Sequence, residues 1–84
     1  MDYKVLVTVL VPEIEKNYEI YLPVNKTVGE VLKYINKLIN ESTSGVFPMK
    51  NNLAICNRFT NEIYPFNKFI RDTDIRNGTQ LVFF

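Results

Sequence analysis

Only one stretch of this 84-residue chain carries a helical period, and it lies between two groups of alternating, strand-forming segments. Whatever sheet those strands build has a single helix to cover it, so one sheet face must meet water or a partner. The stretch is "TVGEVLKYINKLIN", residues 27–40. Thr27 followed three residues on by Glu30 is a capping box: the hydroxyl can accept from the Glu30 amide, and the carboxylate can reach back to the Thr27 amide. Val28, Val31, Leu32, Ile35, Leu38 and Ile39 recur at intervals of three and four and define one face. Lys33, Asn36, Lys37 and Asn40 are expected to lie away from it. Each fully buried aliphatic there contributes about 1.5–3 kcal/mol before entropy is subtracted. The helix should stop near Asn40 or Glu41, where "STSG" begins.

Before the helix, Tyr3 to Val11 alternates at period two, with Tyr3, Val5, Val7, Val9 and Val11 on one face. Pro12 lacks a ladder donor and should end this strand. "PEIEKN" reads as a polar turn, and Tyr18 to Leu22 alternates again, completing a hairpin. After the helix, "ESTSGVFPMKN" is a loop whose Val46, Phe47 and Met49 should pack on something. Leu53 to Cys56 reads as a strand, Glu62 to Tyr64 as a short one halted by Pro65, and Thr79 to Phe84 as the closing strand. Ile70 and Ile75 anchor the stretch between them, where Asp72 and Asp74 suit Asx turns and Asn77-Gly78 tolerates positive φ. Gly29 should allow close approach of the hairpin. This is an α+β arrangement, a mixed sheet of four to five strands packed on one α-helix, in a single domain spanning residues 1–84.

The hairpin, the capped helix and the ending "FIRDTDIRNGTQLVFF" together resemble the ubiquitin-like β-grasp fold. In more detail the chain is similar to the YukD/EsaB family, small proteins that accompany the type VII (Ess/Yuk) secretion machinery of Gram-positive bacteria. The shared marks are the short length, a start directly on the first strand, and Asp72, Ile75, Asn77 and Gly78 before a final strand. The resemblance implies a non-conjugated interaction module, an accessory or regulatory protein whose partner is a component of that machinery. A ubiquitin-type modifier or sulfur carrier needs a flexible Gly-Gly tail whose carboxylate is adenylated. Here the last glycine is Gly78, in a turn, and Phe84 carries the terminal carboxylate. Conjugation is therefore not expected unless the natural C-terminus is longer; a generic adaptor unrelated to secretion is the other alternative.

The chemistry-bearing residues are few. There is no histidine, which removes the commonest general base and metal ligand. Cys56, the lone cysteine, has no imidazole partner to make it a thiolate nucleophile and reads as a small packing residue. Asp72, Thr73 and Asp74 lack the spacing of a calcium loop, and Gly29 has no phosphate-loop lysine beside it. No catalytic residue, metal or cofactor is expected. Ten basic and nine acidic residues, scattered along the chain, give a net charge of +1, which offers no attraction to nucleic acid or anionic lipid. No secretory leader and no membrane-inserting segment is read, so a cytoplasmic location is expected.

Function must then reside in a surface. With Val5, Val7 and Val9 beneath the helix, strand parity sends Leu6 and Leu10 to the other face, together with Tyr21, Ala54, Cys56, Val82 and Phe84. Polar residues belong on a solvated face, and Lys4, Thr8, Glu19 and Gln80 obey that rule. Leu6, Leu10, Tyr21, Ala54, Val82 and Phe84 do not, and are expected to form one contiguous apolar patch that binds a protein partner or, in a homodimer, a second copy.

Overall fold

The structure, a computed structural model, describes residues 3–84. Residues 1 and 2, part of the stretch read for a leader, lie outside the described residues. Strand β1 (Lys4–Val11) runs into a 3-10 turn at Pro12–Ile14 and returns as β2 (Lys16–Pro23). Helix α1 (Val28–Ser42) follows, then β3 (Ile55–Asn57), a 3-10 turn at Ile70–Asp72, and β4 (Gln80–Phe83). The sheet has four strands in the order β2-β1-β4-β3. Its central pair, β1 and β4, is parallel, and both outer pairs are antiparallel. A parallel pair needs a long crossover, and the segment containing α1 supplies it.

Pro12 ends β1 at Val11, and Glu15, in the left-handed region at φ 52°, turns the chain so tightly that β2 starts at Lys16 rather than Tyr18. The capping box forms: the Glu30 amide donates to Thr27 Oγ1 and the Thr27 amide to Glu30 Oε1, both at 3.2 Å. At the far end Thr43 Oγ1 donates to the Ile39 carbonyl at 2.9 Å and accepts from the Phe47 amide at 3.0 Å, so the helix persists to Ser42 before the chain leaves it. Among the described residues no helix is long and apolar enough to cross a membrane.

The core lies between α1 and one sheet face. Val5, Val7, Val9 and Val11 from β1, Ile20 and Leu22 from β2, Ile55 from β3, and Leu81 and Phe83 from β4 meet Val28, Val31, Leu32, Ile35 and Ile39 from the helix. Leu38 is only half-buried at its margin. Phe47 enters this core from the loop and lies tilted on Phe83 with ring centroids 6.0 Å apart, whereas Val46 and Met49 remain exposed. The loop thus packs on the helix side, away from the outer sheet face.

Several details differ from the sequence reading. Asn36 is buried, because the 47–50 segment folds over it; its Nδ2 donates to the Lys50 carbonyl at 3.4 Å. Segment 62–64 makes an isolated bridge, Cys56 with Ile63, instead of a strand, since Asn61 at φ 60° and Pro65 bound it too closely for a ladder. Gly29 admits the turn at Phe66 rather than the hairpin: its amide donates to the Phe66 carbonyl at 2.8 Å, and a Cβ there would sit 3.2 Å from that oxygen. Thr73, not Asp72 or Asp74, closes the turn after Ile70, with Oγ1 donating to the Ile70 carbonyl at 2.7 Å.

Candidate interaction face

Register assembles the outer face row by row. Tyr21 pairs with Leu6 across β2 and β1. The next row runs Glu19, Thr8, Gln80, and Arg58 extends it by donating from its backbone amide to the Gln80 carbonyl at 3.1 Å and from its guanidinium to the Gln80 side-chain carbonyl. The third row runs Asn17, Leu10, Val82, Cys56. Beyond it, Ala54 and Phe84 exchange both backbone hydrogen bonds, at 2.8 and 3.0 Å.

The helix-free face therefore holds all the residues that parity sent there, but in two apolar groups. Leu6 with Tyr21 stands on one side of the Glu19–Thr8–Gln80–Arg58 row, and Leu10, Val82, Cys56, Ala54 and Phe84 stand on the other. A single contiguous patch does not form, because the sequence period that places apolar residues outward at positions 6 and 10 places Thr8 between them. Tyr21 is 61% and Phe84 45% exposed, while Leu6, Leu10, Ala54 and Val82 are half-buried. Cys56 is buried between its neighbours. At the Leu6 end the chain is held by Asn77, whose Oδ1 accepts from the Leu6 amide at 2.8 Å, and by Gly78, at φ 87°, whose amide donates to the Leu6 carbonyl at 2.8 Å.

Ala54 and Phe84 also border a recess of about 610 Å³ that reaches round to the start of α1, lined by Leu32, Leu53, Phe66 and Gly29. Sequence reading missed Phe66 and its exposed companions Phe59 and Ile63. Phe59 and Phe66 lie in turns and Ile63 in a three-residue stretch read as a short strand, too short for alternation to assign a face; their apolar character in a turn-rich stretch was the available signal.

Polar chemistry is concentrated elsewhere. Tyr64 donates its hydroxyl hydrogen to Asp74 Oδ1 at 2.6 Å. Burial, and then the Asp74 carboxylate, push the Tyr64 phenol up to about 12. Glu30 is held below the usual carboxylate range by its hydrogen bonds from Thr27. Among the described residues no group of three or more histidine, cysteine, aspartate or glutamate side chains could hold a metal ion.

No family model matches the chain, and no curated protein matches it. Solved structures do match. The ubiquitin-like domain of EccD5 from Mycobacterium xenopi superposes with a TM-score of 0.73 at 12% identity, over 98% of this chain and 96% of that one. A chain of the MycP5-free ESX-5 inner membrane complex superposes with a TM-score of 0.77 at 19% identity over 95% of this chain, which spans only 20% of that one's length. A ubiquitin-like domain from Arabidopsis thaliana gives 0.71 at 18% identity, over 96% of this chain and 76% of that one. At these identities the likeness is one of fold. The chain has the ubiquitin-like β-grasp fold, and its structural neighbours include the EccD5 ubiquitin-like domain and a chain of the ESX-5 inner membrane complex.

Proposed function

We propose that residues 1–84 form one ubiquitin-like interaction module, a cytoplasmic accessory or regulatory protein of a bacterial type VII (Ess/Yuk) secretion system. It acts by binding a protein of that machinery and not by catalysis. The observation that carries this reading is the apolar group Leu10, Ala54, Val82 and Phe84 on the face that α1 leaves uncovered. A stable interface takes about 800 Å² from each partner, more than this group alone presents. The partner's footprint therefore crosses the Thr8–Gln80 row to Leu6 and Tyr21, with Lys4 and Gln80 as polar contacts. The likeness to the EccD5 domain supports the choice of partner class.

The test is co-sedimentation of the purified chain with the solubilised secretion complex of the same bacterium. Phe84→Asp and Leu6→Asp each abolish binding while the helical circular dichroism signal stays unchanged. Undiminished binding by both variants would sink the proposal.

A further inference from the structure

The two edges of the sheet differ. Beside β3, the Asn57 amide donates to the Glu62 carbonyl and the Tyr64 amide to the Ile55 carbonyl, so segment 62–64 covers that edge. Nothing among the described residues covers β2. Its register with β1 is unbroken from Lys16 to Pro23, and the Val24 amide donates to the Tyr3 carbonyl. Antiparallel alternation then turns the backbone groups of Tyr18, Ile20 and Leu22 toward β1, and those of Asn17, Glu19 and Tyr21 outward. An eight-residue edge strand without a bulge is a template for another strand.

We infer that a second copy of this chain occupies that edge, β2 against β2 in antiparallel array across a two-fold axis. Outward-facing backbone groups must meet their like, so odd-numbered residues oppose odd-numbered ones and each sheet face continues across the junction. Centring the axis on Glu19 would oppose two carboxylates. Centring it on Ile20 opposes Glu19 with Tyr21 of the second copy and Asn17 with Pro23, and forms about six inter-chain backbone hydrogen bonds.

Charge favours this alignment. On the outer face Glu19 sits near the middle of β2 and Lys4 flanks its C-terminal end, opposite Pro23. Among the described residues the ion pairs are Lys26 with Glu30 and Lys50 with Glu13, leaving Lys4 and Glu19 without one. The two-fold brings each Glu19 diagonally toward Lys4 of the other copy, twice per dimer. It also places Tyr21 of each copy, with the groove it lines beside Lys4, Val31 and Tyr34, at the junction. This contact uses the sheet edge and leaves Leu6, Leu10, Ala54, Val82 and Phe84 open, so it shares only Tyr21 and Lys4 with the binding role proposed above.

Sedimentation equilibrium and amide hydrogen exchange across a range of protein concentration test it. The mass rises to that of a dimer, and the amides of Asn17, Glu19 and Tyr21 gain protection with concentration, while those of Tyr18, Ile20 and Leu22 are protected throughout. Glu19→Pro removes an outward amide that β1 does not use, and holds the chain at monomer mass. Lys4→Glu and Glu19→Lys each weaken association by tenfold or more, and their combination restores it. A monomer at all concentrations would overturn the inference. So would a dimer in which the three outward amides exchange as fast as in the monomer, because association would then use another surface. Protection of those amides only on adding a different protein would assign the edge to that partner and overturn it equally.

Discussion

Replacing Phe47 by alanine tests whether this fold depends on a ring that belongs to no helix or strand. Phe47 is 1% exposed, against Phe83 at 6.0 Å between ring centroids, with the Lys50 ammonium 4.7 Å from its own centroid. A buried phenylalanine removes about 150–250 Å² from water, which at 25 cal/mol/Å² is about 4–6 kcal/mol, an upper bound because the unfolded chain is partly collapsed. Measured phenylalanine-to-alanine changes in cores cost about 3–5 kcal/mol. A chain of this length has a total stability of about 4–13 kcal/mol, so Phe47→Ala removes a large share of it. The midpoint of thermal unfolding should fall by about 12 °C or more, at about 4–8 °C per kcal/mol. Val46, next in sequence and 78% exposed, is the control: Val46→Ala should change stability by no more than about 0.5 kcal/mol. Chemical denaturation followed by circular dichroism reads both. If Phe47→Ala costs less than about 1 kcal/mol, the loop does not contribute to the core and the packing argument fails.

Two further outcomes follow from local chemistry. Thr27→Ala removes the acceptor that caps α1 and should cost about 1 kcal/mol in denaturant melts, with Thr27→Ser retaining most of it. The Tyr64 phenol, raised to about 12, should appear as a late step in an alkaline absorbance titration that Tyr64→Phe deletes and Asp74→Asn moves to lower pH. Because the folded value lies above the unfolded one of about 10, this group's contribution to stability is complete below about pH 10 and is lost as pH rises toward 12.

The helix was legible in the sequence from its cap and from six apolar residues at one period, since both signals depend on residues within a turn of each other. Strand parity was equally legible: Leu6, Leu10, Tyr21, Ala54, Val82 and Phe84 lie on the helix-free face because side-chain direction alternates regardless of what a strand pairs with. Asn36 and Gly29 show the limit. Asn36 looked solvent-facing on the helix wheel, yet a loop beginning seven residues later closes over it. Gly29 looked suited to the hairpin, yet it accommodates the Phe66 carbonyl from a turn nearly forty residues away.

The sequence by itself determined a capped amphipathic helix, alternating strands and a sheet face that one helix could not cover. Strand order, the alignment of Gln80 and Arg58 with Thr8 that carries the polar row across the sheet, and the difference between a covered β3 edge and an open β2 edge were decided only by tertiary structure. Local periodicity records which way a side chain points, but neighbours brought together across fifty or seventy residues are selected by packing of the whole core.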